Sequence, residues 1–346
     1  MKKFLAVLLA LTFCITCFAA CKDATPDNTD NTDDTNTDAV TEVNTVAIMA
    51  TYVVTNDMSE DQAYAITKAL WETEAVKTSH AKGAQMDINT TLSGLGEVPL
   101  HPGAAKYYIE KGIITAEEAK VATAGTKTID KVKVGTGGQT GTYYAFANAS
   151  LQAITSDALK FEVISSGGSA ANINGINDGT YHMATVQNDV MNYAYAGNNG
   201  FEAPIKSFSA IACIYPEVCQ LIVTKDSGIK TVADLKGKTV SIGDIGSGVY
   251  YNAVQILEAA GLDAENDIRP TYASFGDSAQ GLKDGSIEAA FITAGTPTTA
   301  VTELATSTKV MAIDLGAEII DGLMADYTFY AKYTMTNADY DFIAAK

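Results

Sequence analysis

The chain has 346 residues, with 41 Asp and Glu against 23 Lys and Arg, for a formal net charge of −18. That balance, with Arg269 as the single arginine, argues against nucleic acid and anionic lipid as partners of a folded body. His80, His101 and His182 stand apart without ligand spacing and no cysteine–histidine cluster forms, so neither a metal site nor a haem site is expected.

Met1-Lys2-Lys3 is a basic start, and residues 4–19 are apolar but too short for a comfortable membrane span. Phe18-Ala19-Ala20-Cys21 places two small residues before a cysteine. This reads as a signal peptide over 1–20 and an exported lipoprotein tethered to the membrane through an acylated Cys21. The plainer alternative is an ordinary cleaved signal with Cys21 incidental. Phe18 departs from the Leu usual there, and Cys14 and Cys17 are apolar filler of the removed segment. Residues 22–38 are almost wholly Asp, Asn and Thr. Such a stretch cannot repay its ordering entropy, so 21–43 is expected to be a disordered spacer. About 300 residues remain, enough for two domains. Cys213 and Cys219 lie in apolar, strand-like sequence and are expected as buried thiols rather than a disulfide.

In chain order, a strand is predicted over 46–54 and a helix over 60–77. Ser59 and Gln62 form its capping box, and Ala63, Ile66, Ala69 and Leu70 its apolar face. Pro102-Gly103 opens a helix over 104–111, closed by Gly112. Tyr107 and Tyr108 in it read as packing residues. Residues 115–130 read as a linker. From 131 onward, strands at 132–134, 161–165, 183–186, 208–214, 221–224, 240–242, 289–292 and 310–313 alternate with helices. These are expected at 141–155, 170–177, 189–196, 249–259, 278–284 and 297–304. The alternation predicts an α/β fold with mainly parallel sheets.

Three segments share a strand, a Gly/Ser/Thr-rich turn and a helix: 135–144, 165–172 and 243–251. Glycine lets the backbone approach closely, and the free N–H groups of a first helical turn bind anions without a basic side chain. Thr140, Ser169 and Ser247 add hydroxyl donors. None of the turns ends in the Gly-Lys-Ser/Thr of a P-loop, and the dinucleotide fingerprint fails as well. Gly246-Ser247-Gly248 is too tight for a hydrolase elbow, and no histidine is placed as its base.

Taken together, several motifs resemble the TAXI family of solute receptors, which serve TRAP-type transporters. They are the turn 135–144, the turn 166–172, Gln187 with Asp189, Tyr215-Pro216-Glu217, the strand start 235–238, Ser247-Gly248, and Ala294-Gly295-Thr296-Pro297. The order differs. Residues 99–112 and the strand and helix from Val46 to Trp71 resemble the family's C-terminal end, yet here they come first, so the chain reads as a circular permutation. The resemblance implies a two-lobed, periplasmic-binding-protein-like α/β clamshell with a ligand cleft between the lobes. Lobe I would comprise 44–218 plus 312–346, with 44–114 as the relocated segment and 115–130 joining the old termini. Lobe II would be 219–311, and the hinge crossings would lie near 217–220 and 310–314.

The implied protein is a monomeric, non-catalytic receptor without cofactor or metal. It would capture a small organic anion, of the glutamate or 2-oxo dicarboxylate class, for a TRAP-type membrane permease. The alternatives are a ligand-sensing lipoprotein that presents its bound state to a signalling partner and an exported enzyme acting on small acids. The lack of a base, nucleophile or metal constellation argues against the enzyme. The ligand residues implied are Gly138, Thr140, Gly141 and Tyr143 in the first turn, and Gly168, Ser169 and Asn172 in the second. Gln187, Asp189 and Glu217 follow, then Ser247 and Gly248 in the third turn, and Gly295 with Thr296. Tyr143 would wall the pocket and donate its hydroxyl, Asn172 and Gln187 would serve an amino or keto group, and Asp189 or Glu217 would pair an ammonium. Helix capping or a lobe-to-lobe contact is the alternative role for both acids. Arg269 is expected on the surface.

Overall fold

The computed structural model describes residues 41–344; the expected signal peptide, Cys21 and nearly all of the expected spacer lie outside them. The described chain opens with β1 (Val43–Thr55), α1 (Glu60–Glu72), α2 (Glu74–Thr78) and α3 (Pro102–Glu110). Then follow β2 (Val132–Gly135), α4 (Thr142–Ala153), β3 (Phe161–Ile164), α5 (Ser169–Asn177), β4 (Met183–Gln187) and α6 (Asn188–Ala196). After the long β5 (Phe208–Thr224) come β6 (Thr239–Ser241), α7 (Gly248–Ala259), β7 (Arg269–Thr271), α8 (Phe275–Asp284), β8 (Ala289–Ala294) and α9 (Thr299–Ser307). The chain closes with β9 (Val310–Ala312), α10 (Ala317–Asp326) and β10 (Ala331–Met335).

Ser59 caps α1 as expected, its hydroxyl accepting from Gln62 N–H. The single helix expected over 60–77 is two, broken at an extended Thr73. In an unbroken helix Trp71 and Val76 would point about 140° apart; the break lets both be buried. The strands expected at 208–214 and 221–224 are one strand, β5. Pro216 does not end it, because the register of β5 against β1 shifts beside it, between Tyr215 and Cys213, and a bulge tolerates proline.

The strands form one sheet in the order β3-β2-β4-β1-β5-β8-β6-β7, with β10 on β1 and β9 on β5. It is mixed rather than mainly parallel. Two parallel groups, β3-β2-β4 and β8-β6-β7, are joined through antiparallel β1 and β5. These two strands run through both lobes: β1 pairs β4 through residues 50–54 and β10 through 43–47. Nearly every residue of both is buried, which accounts for their near-continuous apolar sequence.

The described residues form a mixed α/β fold in two halves with separate apolar cores, called lobe I and lobe II below. One apolar core, including Tyr52, Leu70, Phe146, Met191 and Tyr215, fills lobe I. Two others fill the faces of lobe II, one around Leu221, Ile256 and Phe291, the second around Ile222, Ile292 and Val301. Here the expected division needs correction. Ile313, Leu315, Ile320, Leu323 and Tyr330 belong to the first lobe II core, and Met335, Tyr340 and Ile343 to the second. The described residues from 312 onward therefore pack in lobe II rather than lobe I, because β10 pairs with the half of β1 that lies in lobe II. The crossing expected at 310–314 is β1 instead, since β9 pairs β5 within lobe II. The linker 115–130 is fixed to lobe I by bridges of Val121 to Leu100, Gly125 to Ser59 and Lys127 to Met58. Among the described residues no helix is long and apolar enough to cross a membrane.

Candidate functional site

The three glycine turns do converge, and a fourth helix start joins them. A cavity of about 70 Å³ lies between the lobes. Its walls include Gly138, Gly141 and Thr142 at the start of α4, and Ser166 to Ser169 at the start of α5. Lobe II adds Ser247 and Gly248 at the start of α7, and Ser274 and Phe275 at the start of α8. No side chain caps α4 or α5, whereas Ser247 and Ser274 each accept one backbone N–H of their own helix. Four positive helix ends thus face one small space. Each is worth about 0.3–1 kcal/mol toward an anion, more where water is excluded.

Gly168 has φ +99°, and a Cβ on it would come within 3.4 Å of Ser247 Cα across the cleft. Gly248 is tighter: its Cβ would fall 1.7 Å from Gln187 Oε1. The lobes also touch directly. Ala170 and Ala171 N–H donate to Gly246 carbonyl oxygen at 3.1 and 3.3 Å, and Thr142 Oγ1 donates to Gly295 carbonyl oxygen at 2.8 Å.

The ionisable groups on the wall are acidic. Glu217 leaves β5 into the cavity, buried, and the Tyr143 hydroxyl donates to its carboxylate. Burial pushes the Glu217 carboxyl well above the ordinary range and pushes the Tyr143 hydroxyl up as well. Asp244 is the second acid of the wall, raised by partial burial. Among the described residues no lysine or arginine lines the cavity. Gln187 adds a neutral acceptor: its Nε2 donates to Asn252 Oδ1 at 3.2 Å, while its buried Oε1 has no protein partner.

Of the residues expected in the site, Gly138, Gly141, Tyr143, Gly168, Ser169, Gln187, Glu217, Ser247 and Gly248 line the cavity. Five do not. Thr140 offers its carbonyl oxygen to Ala300 N–H. Asn172 is fully buried behind the turns, donating to Thr136 and Thr185 carbonyls at 2.6 and 2.8 Å. Asp189 is sealed in a polar layer between α6 and α7. Gly295 packs against Lys82, and the Thr296 hydroxyl bonds Asp339.

Sequence reasoning missed Ser274 and Phe275, although Ser274 followed by Asp277 is a helix-start signal. It also missed Asp244, inside a turn that was singled out, and the β8 end at Thr293 and Ala294. Lys82 carried no signal at all. It is 1% exposed, bonds Gln85 Oε1 at 3.0 Å, and is brought down to about 8 by burial, against the opposing pull of Asp339 and Glu217. Cys213 and Cys219 are free, buried thiols, and Arg269 is exposed, paired with Glu288 at 3.2 Å.

Residues 31–112 and 134–345 match the model of the NMT1-like family. The chain belongs to the NMT1-like family. Among solved structures, it is similar to the periplasmic aliphatic sulphonate binding protein SsuA from Escherichia coli. The identity is 16% and the TM-score 0.37, over 62% of this chain and 66% of that one. The alkanesulfonate-binding protein SsuA from Xanthomonas axonopodis pv. citri, bound to MOPS, matches at 16% identity and TM-score 0.40, over 63% of this chain and 71% of that one. A third match, over 62% of this chain and 86% of the other, has 14% identity and TM-score 0.38; its structure concerns glutathione import by GshT and the cystine importer TcyBC of Streptococcus mutans.

Proposed function

We propose that this member of the NMT1-like family is an extracytoplasmic solute receptor whose cleft takes an acidic amino acid of the glutamate type. The observation that carries the reading is the composition of the cavity wall. Four helix starts supply positive potential without any cationic side chain, and Glu217 with the unpartnered Gln187 Oε1 supplies a matched pair of acceptors. Carboxylates fit the two pairs of helix starts, one pair per lobe. An ammonium fits between Glu217 and Gln187, where it would satisfy both acceptors at once. A 2-oxo dicarboxylate would leave those acceptors facing a keto oxygen, which costs affinity. That choice separates the two ligand classes the sequence left open. The receptor acts by binding alone, without chemistry on the solute.

Calorimetry and thermal shift with L-glutamate, 2-oxoglutarate, neutral amino acids and sugars test the reading. A ligand at a hundred times its Kd adds about 2.7 kcal/mol, a shift of several degrees. L-Glutamate should shift the melting temperature while 2-oxoglutarate does so weakly. The reverse order would overturn the ammonium site.

The finer readings rest on sequence. The motifs point to a TRAP-type permease as the partner, checked by glutamate uptake into liposomes holding that permease and the loaded receptor. Acylation at Cys21 is checked by palmitate labelling that Cys21→Ser abolishes. For the circular permutation, the supporting observation is that β10 ends where β1 begins: Met335 pairs with Val43, and Ala331 with Ala47. The two strands have the geometry of a hairpin whose loop has been cut. A chain reordered to run from residue 131 through 343 into 43–112 should keep the melting temperature and the ligand affinity.

A further inference from the structure

Behind the cavity lies a second polar layer that the ligand does not reach. Asp189, on the first turn of α6 in lobe I, is 1% exposed. Its carboxylate accepts from Val190 N–H at 2.7 Å and, across the lobe boundary, from Asn252 Nδ2 of α7 at 3.0 Å. Asn252 Nδ2 also donates to the Tyr330 hydroxyl at 2.9 Å, Tyr330 donates to Gln255 Oε1 at 2.6 Å, and Gln255 Nε2 returns to lobe I by donating to the Tyr193 hydroxyl at 3.0 Å. Gln187 ties this layer to the cavity through Asn252. Each partner of Asp189 is neutral. The ionisable groups that face it are Tyr193 from α6, Tyr251 from α7, Tyr330 from the segment before β10, and Glu217 and Cys219 from β5. None of these is a cation.

A buried carboxylate that no cation faces has its protonated form favoured. The same carboxylate in water is ionised at neutral pH. Which condition applies depends on the seam between α6 and α7, and that seam is a lobe boundary. We propose that closing the lobes takes up a proton at Asp189, so that the cleft closes more readily as the pH falls. The inference rests on the receptor reading only for the statement that the lobes part and rejoin.

The sign follows from linkage. Burial in the joined lobes raises the Asp189 carboxyl from its ordinary value to about 7, while parting the lobes returns it to the ordinary range. Above about pH 7 both states are ionised and the closed-to-open ratio is at its lowest. Between that point and the ordinary carboxylate range the ratio rises by up to tenfold per pH unit as the pH falls. Glu217 is also enclosed on closure, but a bound ammonium and the field of Lys82 both favour its ionised form. Its contribution is common to the wild type and to a variant at Asp189, so the difference between them isolates Asp189.

The test reads closure itself. Spin labels on Glu202→Cys and Lys283→Cys, exposed residues of opposite lobes, report the lobe-to-lobe distance from pH 5 to pH 8, with and without L-glutamate. The wild-type background should shift toward the short distance as the pH falls, even without solute. Asp189→Asn, which mimics the protonated acid, should favour the short distance at pH 8 and lose most of this dependence. Identical pH profiles in the two backgrounds would overturn the proposal. If Asp189→Asn does not fold, carboxyl carbon shifts of Asp189 in the wild type give its pKa directly, and an ordinary carboxylate value in the solute-bound protein would also overturn it. A pH-dependent distance without any response to L-glutamate would leave this inference standing and sink the ligand assignment.

Discussion

The cavity wall and the layer behind it are built from the same material and do different things. Glu217 and Asp189 are both buried acids of lobe I, and burial raises both. Asp189 has its partners supplied within the protein, by Val190 and Asn252. Glu217 has Tyr143 on one side and the cavity on the other. The same contrast separates Asn172, whose amide is spent on the carbonyls of Thr136 and Thr185, from Gln187, whose Oε1 has none. A buried polar group satisfied by its own fold is part of the scaffold, whereas one with an unfilled side is where a solute gains affinity.

Substitution can break this contrast. The largest effect is expected from Glu217→Gln, which removes the charge that pairs an ammonium. Losing one partner of a buried charged pair costs about 2–5 kcal/mol, so L-glutamate affinity should fall a hundredfold or more by calorimetry, with 2-oxoglutarate much less affected. Equal losses for both solutes would place Glu217 in the scaffold class. Asn172→Ala should behave in the opposite way. It leaves two buried carbonyls short of a donor, for about 2–3 kcal/mol of stability, read as a fall of several degrees in melting temperature whether or not solute is present. Gly248→Ala drives a methyl into Gln187 Oε1. Overpacking of this kind costs about 1–3 kcal/mol, and because the clash lies between lobes it should appear mainly as weaker solute binding.

Asp189→Asn sharpens the comparison through pH. A group raised on folding contributes stability that is complete below its unfolded value and lost as pH rises through its folded value, here about 7. The wild type should therefore lose stability relative to Asp189→Asn between pH 4 and pH 8. About 1 kcal/mol is expected in thermal melts, because parting the lobes relieves the burial. The smallest effects separate two hydroxyls. Ser169 lines the cavity and accepts from Gln187 N–H at 3.0 Å, so Ser169→Ala should weaken L-glutamate about tenfold. Thr140 does not line the cavity, and Thr140→Ala should change affinity less than twofold. Equal losses from both would mean that the first turn is assigned wrongly.

Much of the fold was legible because its signals are local. Ser59 with Gln62 marks the α1 start, Pro102 the α3 start, and the three glycine turns the starts of α4, α5 and α7. Each depends on residues within one helical turn of one another. The continuity of β5 past Pro216 was hidden, because proline reads as a break until the bulge opposite β1 is known. The placement of 313–343 in lobe II was hidden too. A short, largely exposed strand such as β10 does not say which half of β1 it will pair with.

The sequence by itself determined the three helix starts that carry the proposed anion site, since strand, glycine turn and helix start are enough to present free N–H groups wherever they fold. It also determined Glu217 and Gln187 as candidates. Only the tertiary structure decided that Glu217 faces the cavity while Asp189, two positions after Gln187, is sealed behind it. Gln187 ends β4 and lines the cavity, whereas Asp189 is the second residue of α6 and faces α7. Side-chain direction at a strand-to-helix junction is set by the packing of the two lobes, and no local pattern encodes that.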